Sequence, residues 1–254
     1  TGALATEARE LNIGFFSRMT RGRPWVRVKV AASLDGRTAL PDGRSQWITG
    51  PPARADGHVW RRRAGAVLTG IGTVLADDPR LDVRSVPTEL QPLRVVLDSK
   101  RRLPAGARLL AAPGRALQVT AVGNDASQPV IDCEVLVLPS ADGQVDLAGL
   151  LMELARREIN EVHVEGGARL NAALLSAGWV DELLVYLSPR VLGEGRGMAS
   201  LDALGQIDDA PRFTFHEVRR VGDDLRLRLR PAPGPVGGLD TPTPTHLQGG
   251  SVSH

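Results

Sequence analysis

The 254 residues carry 31 Lys and Arg against 29 Asp and Glu, a formal charge of +2, too little to imply a nucleic-acid partner, and no basic run is interleaved with aromatics. No apolar run approaches the roughly 20 residues that span a bilayer, and 42% hydrophobic residues suit an ordinary globular α/β chain. The one cysteine, Cys133, excludes an intrachain disulfide or a multi-cysteine zinc site; inside an apolar run it reads as a small buried hydrophobe.

Residues 1–20 read as one short helix (ATEARELNIGFFSRM), and then a basic turn. The opening has neither an initiator Met nor a secretory pattern. It is expected to belong to a cytoplasmic protein and to be a processed or excised piece of something longer. Short Val- and Leu-rich runs then predict strands at Trp25–Ala31, Ala66–Gly70, Leu93–Asp98, Ala116–Thr120, Cys133–Leu138, Glu161–Val164 and Glu182–Leu187. Helices are predicted at Pro52–Ala64, Asp146–Glu158 and Ala168–Ala177. Pro51 and Pro52 suit a helix start, and Leu147, Leu150, Leu151 and Leu154 give an apolar face of period 3.6. FTFHEVRRV, a GDD turn and LRLRLR predict a closing antiparallel hairpin whose arginines form a wet face. From Pro231 the Pro/Gly/Thr/Ser-rich tail is expected to be disordered. The expected architecture is therefore one α/β domain over 23–230, with a mostly parallel sheet.

Polar residues recur where these strands should end, and open α/β sheets bind ligands there. Lys29 and Ser33 come from one strand; Ser45, Gln46, Trp47 and Thr49 lie in the next loop; Thr73, Asp77 and Asp78 follow a third run. Lysine is scarce here, only Lys29 and Lys100. A lysine inside an apolar strand can lose its proton where arginine cannot, or it can snorkel to solvent. Glu165 closes a strand before Gly166 and Gly167, a turn whose following helix start suits a pyrophosphate or serves only as a tight connection. It is not a G-x-G-x-x-G fingerprint. The run Asp98–Arg102 (DSKRR) could hold a 2′-phosphate or be an exposed basic turn. Arg54, His58 and Arg61 share a helix face, and with Arg84 could form a phosphate-ester pocket or an exposed charged face. Asp77 and Asp78 read as a turn or cap, or as a carboxylate for proton transfer. The spacing of His, Asp and Glu supports no metal, and His163, His216, His246 and His254 read as structural or tail residues.

The runs KVAASLDGRTA, SQWITG, TVLADDPRLDVR and VEGGARLNAALLSAGWVDELLVYLSPRVLG together resemble the reductase domain of the bifunctional riboflavin-biosynthesis deaminase–reductase, almost continuously from Arg23 to about Leu229. The resemblance implies a dihydrofolate-reductase-like fold. It also implies NADPH-dependent reduction of 5-amino-6-(5-phosphoribosylamino)uracil, a phosphorylated pyrimidine, to the ribitylamino compound. By matched position, Ser45, Arg61, Leu81, Arg84 and Glu165 would contact substrate. Ala31, Trp47, Thr73, Asp77, Ser99 and the loop Gly167, Ala168, Arg169, Leu170, Asn171, Ala172 and Ala173 would contact NADPH, while Arg54 falls outside the matched positions. Lys29 would lie at the ribose end, and Lys29 or Asp77 would manage the proton. Residues 1–22 resemble the end of that family's deaminase domain, whose H-x-E and P-C-x-x-C zinc signature is absent here, so the chain is expected to be fused to, or cut from, such a domain. A homodimer is expected, with no membrane or nucleic-acid partner. The rival readings are a pterin reductase of the same fold and a non-catalytic partner domain of a deaminase.

Overall fold

A computed structural model describes residues 4–123 and 131–233; the expected disorder after Pro231 falls, from residue 234 on, outside the described residues. Two helices, α1 (Ala5–Leu11) and α2 (Ile13–Arg21), precede β1 (Trp25–Ser33) and the short β2 (Arg37–Ala39). Then come α3 (Pro51–Arg63), β3 (Ala66–Gly70), α4 (Ile71–Asp77), β4 (Leu93–Leu97), α5 (Arg108–Ala111), β5 (Ala116–Thr120) and β6 (Glu134–Val137). The rest is α6 (Leu147–Arg156), β7 (Glu161–Val164), α7 (Ala168–Ser176), β8 (Glu182–Ser188), β9 (Arg196–Gly197), β10 (Phe213–Val221) and β11 (Asp224–Pro231).

Nine strands form one sheet in the order β10-β11-β8-β1-β7-β3-β4-β5-β6, while β2 and β9 pair separately. Pairings from β8 through β6 are parallel; β11 runs antiparallel to both β8 and β10. The mostly parallel sheet with its closing hairpin thus forms as the strand runs predict. The expected single N-terminal helix divides at Asn12, whose φ of −106° leaves the helical range. It does not hang loose: Arg18 donates to Asn160 at 2.7 Å and Arg21 to Asp181 at 2.7 Å. Cys133 is half-buried, at the margin of a small cluster on α4 and α5.

The sheet's two faces differ in kind. On one, Val26, Val28, Val30 and Ala32 of β1 join Leu68, Val95, Leu117, Val119 and Val164 under Leu150, Leu151 and Leu154 of α6 and Leu174 of α7. This is ordinary apolar burial, about 25 cal/mol per Å² removed from water. On the other face, beneath α3, a layer of charge lies beside a small apolar cluster of Ala53, Leu184 and Tyr186. Arg27, with no exposed side-chain surface, donates to Glu182 at 2.6 Å and Glu161 at 2.8 Å and stacks on Trp60 at 4.4 Å. Arg63 joins Glu161, while Arg228 and Arg230 reach Glu182 and Glu10.

That layer corrects the wet-face reading of LRLRLR. Arg226 is buried and bonded to Asp56 and Glu217, and Arg226 and Arg228 lie over the Trp60 ring. Carboxylates and indole faces satisfy these guanidinium groups inside the molecule, so the apolar alternation faces outward. Phe215 is 66% exposed and Val218 57%.

Candidate active site

The C-terminal ends of β1, β7 and β3 and the last turn of α3 bring four polar groups together. Glu165, immediately after β7, donates its backbone N–H to Leu68 at 2.9 Å, and its carbonyl accepts the Thr69 hydroxyl at 2.8 Å. Its carboxylate is gripped by Arg61 through both Nε and Nη2, the latter at 2.8 Å. Arg61 also donates to the carbonyl of Asp82 at 3.0 Å. Burial opposes ionisation of Glu165, yet the charge and hydrogen bonds of Arg61, with help from His163 and Lys29, hold its carboxyl well below the usual range.

Lys29 projects from β1 toward this pair and lies 5.9 Å from the Tyr186 ring centre. Burial pulls its ammonium below the ordinary lysine value, opposed by Glu165 and reinforced by Arg61. Tyr186 is fixed in turn by a 2.6 Å hydrogen bond from its hydroxyl to Asp56. The result is a half-buried carboxylate flanked by two cations and floored by an aromatic ring, a site that can orient polar groups and move a proton.

On the rim, Arg84 donates to Asp82 at 2.8 Å, with its side chain half exposed. Leu81 is buried and adopts a φ of +56°. Ser45 lies half-buried in the loop before α3. Trp47, 58% exposed, stacks against Arg54 at 4.4 Å. Arg54 therefore turns to the Trp47 loop, away from Arg61. His58, pushed down to about 4 mainly by burial, is neutral at physiological pH and accepts the Arg84 N–H at 3.4 Å.

Across the cleft, α4 and α7 begin side by side. A Cβ at Gly167 would stand 3.7 Å from the Thr73 hydroxyl, and one at Gly72 would meet nothing within 4 Å. These two glycines, open and without side chains, and the Thr73 hydroxyl between them fit a nucleotide pyrophosphate. Residues 168–173 are the opening turns of α7, with Gly167 at its N-cap. Leu170 packs into the core, Ala172 is buried, and buried Asn171 donates to the Met198 carbonyl at 2.8 Å. Gly167, Ala168, Arg169 and Ala173 are thus left facing outward or half-buried. Ala31 lies on β1 opposite Tyr186, and Ser99, beyond β4, donates to Gln144 at 3.2 Å.

Thr73 and Asp77 belong to α4, a helix that the strand-end reading does not contain. Asp77, its last residue, has its carboxyl raised by partial desolvation, opposed by Arg196 on β9. Asp78 caps the turn, with a φ of +40° and its carboxylate accepting the Arg108 N–H at 2.8 Å. Among the described residues, no group of three or more His, Cys, Asp or Glu is placed to hold a metal.

Tyr186 and Asp82 escape the sequence reading, and His163, read there as structural, lies against the site. Buried His163 lies two residues before Glu165, its Nε2 3.5 Å from that carboxylate. Period-two spacing along β7 and the alternation in RLDVR were the available signals.

A family model described as the RibD C-terminal domain matches residues 24–227. The riboflavin biosynthesis protein RibD of Escherichia coli is 41% identical over 241 residues, covering 90% of this chain and 65% of that protein. A RibD structure from Acinetobacter baumannii is 39% identical with a TM-score of 0.79, covering 89% of this chain and 63% of its own. A Thermotoga maritima diaminohydroxyphosphoribosylaminopyrimidine deaminase/5-amino-6-(5-phosphoribosylamino)uracil reductase is 29% identical with a TM-score of 0.80, covering 91% and 63%. The chain therefore spans somewhat less than two thirds of the relatives it matches. With the matched region running almost from β1 through β11, the chain belongs to the RibD C-terminal domain family.

Proposed function

We propose that this chain is the reductase half of a riboflavin-biosynthesis enzyme. It reduces 5-amino-6-(5-phosphoribosylamino)uracil to the 5-phosphoribitylamino compound with NADPH. The observation that carries the reading is the Lys29–Glu165–Arg61 cluster, half-buried at the strand ends beside the paired starts of α4 and α7. A phosphate-bearing substrate suits the two arginines better than a pterin does, because Arg84 keeps donors free at the rim.

Ala31, Trp47, Thr73, Asp77, Ser99 and the turn from Gly167 to Ala173 would hold NADPH, which when bound supplies a hydride for C1′. The protein's own work is positioning and proton supply. Arg84, with Arg61 behind it, anchors the 5′-phosphate, and this remote binding energy aligns C1′. Ser45 and Leu81 flank the substrate, and Glu165 orients its hydroxyls or ring N–H groups. Lys29 protonates the ribose ring oxygen as the C1′–O bond breaks, leaving a C1′ imine for reduction. Asp77, at the rim beside Arg196, orders the cofactor side.

The deaminase named for the Thermotoga relative would occupy the part of such proteins that this chain does not span. The expected homodimer finds support in the outward apolar face of β10 and β11, and the expected setting is the cytoplasm. No described helix is long and apolar enough to cross a membrane. Steady-state NADPH oxidation tests the reaction. Turnover with the phosphoribosylaminouracil and none with dihydrofolate is expected; the reverse would make the chain a pterin reductase, and binding without oxidation a non-catalytic domain.

A further inference from the structure

The segment Arg80–Arg84 carries a charge arrangement of which the reaction as described uses only Arg84, leaving Arg80 and Asp82 without a role. Leu81 and Val83 turn into the core, 2% and 3% exposed, while the Asp82 carboxylate between them is itself only 1% exposed. Two arginines share that carboxylate. Arg80 donates Nε and Nη2 to Oδ2, at 3.0 and 2.7 Å, and Arg84 donates Nη1 to Oδ1 at 2.8 Å. Arg80 is 36% exposed and Arg84 50%. Among the described residues neither guanidinium has another side-chain partner, so each keeps N–H groups available.

The backbone beneath them is fixed on every side. Gln91 donates to the Val83 carbonyl and accepts its N–H, both at 2.8 Å. The Arg84 N–H reaches His58, and the Asp82 carbonyl accepts from Arg61 at 3.0 Å. Around this one carboxylate stand Arg80, Arg84, Arg61 and Arg94, with Glu165 and neutral His58 beyond. Cations outnumber anions, as an anion site requires.

We infer that Asp82 is the positioning residue of a paired-guanidinium clamp in which Arg80 joins Arg84 on the substrate's 5′-phosphate. The inference rests on the reductase reading above and adds two residues to it. A carboxylate buried between two half-exposed arginines holds both planar forks at fixed spacing before the ligand arrives. Less ordering is then lost on binding. Phosphate offers three oxygens to such a pair, enough for each fork to engage without releasing Asp82.

The test compares kcat/KM for the 5′-phosphorylated substrate with that for the same riboside lacking phosphate, in the full 254-residue chain. Arg80→Ala is expected to reduce the preference for phosphate about tenfold, through KM with kcat nearly unchanged. This is the scale of one lost charge-assisted hydrogen bond. Arg80→Lys restores it only in part. Asp82→Asn separates positioning from charge: a carboxylate that merely balances charge would, once removed, leave phosphate bound more tightly. A positioning carboxylate leaves it bound more weakly, with KM for NADPH close to wild type. The inhibition constant of inorganic phosphate, as a competitive inhibitor, gives the same ranking. An unchanged phosphate preference in Arg80→Ala, or tighter phosphate inhibition in Asp82→Asn, overturns the inference. Should Arg84→Ala also leave the preference unchanged, the phosphate-anchoring reading fails with it; a drop in Arg84→Ala alone leaves that reading standing.

Discussion

At the residue scale the site depends on what burial does to one lysine. An exposed lysine gives up its proton near pH 10.4; Lys29, desolvated on β1, does so at lower pH, while Glu165 limits the fall. A group acting as proton donor is active below its own pKa, so kcat should fall as pH rises through the lowered value. Lys29→Met is expected to cut kcat by two to four orders of magnitude, the usual size of a general-acid contribution of roughly 10²–10⁴, and to abolish that alkaline limb. Asp77→Asn should lower kcat/KM for NADPH chiefly by raising KM, and keep the limb. Should Lys29→Met retain the limb and Asp77→Asn lose it, the proton roles are exchanged. Lys29 was visible in sequence because so few lysines interrupt so many arginines. The same reading could not find Tyr186, since a tyrosine in a β-strand is ordinary and its link to Lys29 exists only once β8 lies beside β1.

At the scale of elements, α3 reaches the site on a charged bed. Arg61 can meet Glu165 only if α3 lies flat over β1 and β8, and what lies beneath its Trp60 ring is Arg27, paired with Glu182 and Glu161. Removing one member of a buried ion network leaves its partners as unpaired buried charges, at a cost of about 3–5 kcal/mol. Arg27→Met should destabilise the protein by that order in urea titration. A change below about 1 kcal/mol would show that water enters beneath the helix and screens the layer. Glu182 is lowered to about 2, burial opposing and Arg27 and Arg228 prevailing. A depressed folded-state pKa contributes stability above the unfolded value, and it is lost as pH falls from about 4.5 toward 2. The Val- and Leu-rich parallel strands were legible because strands buried on both faces are apolar throughout. Helix α4 was not: seven residues with a glycine near the start show no helical period to distinguish them from a strand end. The LRLRLR pattern misled for a physical reason. Alternation fixes that two faces differ, but which one is covered depends on Trp60, Glu182 and Asp56, contributed from elsewhere in the chain.

At the scale of the molecule, turning the arginines inward leaves Phe215, Val218 and Leu225 outside, backed by Leu227 and Leu229 across the hairpin. A contiguous apolar sheet face of this kind marks an association surface, and a second copy of the chain would cover it. Val218→Glu, at an exposed position, should convert a dimer to a monomer in light scattering with little change in the fold; a wild-type chain that is already monomeric would remove this support. The same topology keeps the cleft clear of that face. The fold class and the positions of Lys29, Arg61, Arg84 and Glu165 could be taken from the sequence. Their mutual contacts come from strands far apart in the chain, β1 beside β7 and β7 beside β3.

The central claim is transfer of hydride to C1′ of a phosphoribosylamino substrate. The direct measurement uses NADPH deuterated at the transferred position of C4, with 5-amino-6-(5-phosphoribosylamino)uracil and the purified chain. The product is then examined by mass spectrometry and NMR. One deuterium at C1′ of a ribityl chain, with one NADPH oxidised per product, is the predicted result. A product without deuterium, or with deuterium on the pyrimidine ring, would contradict it.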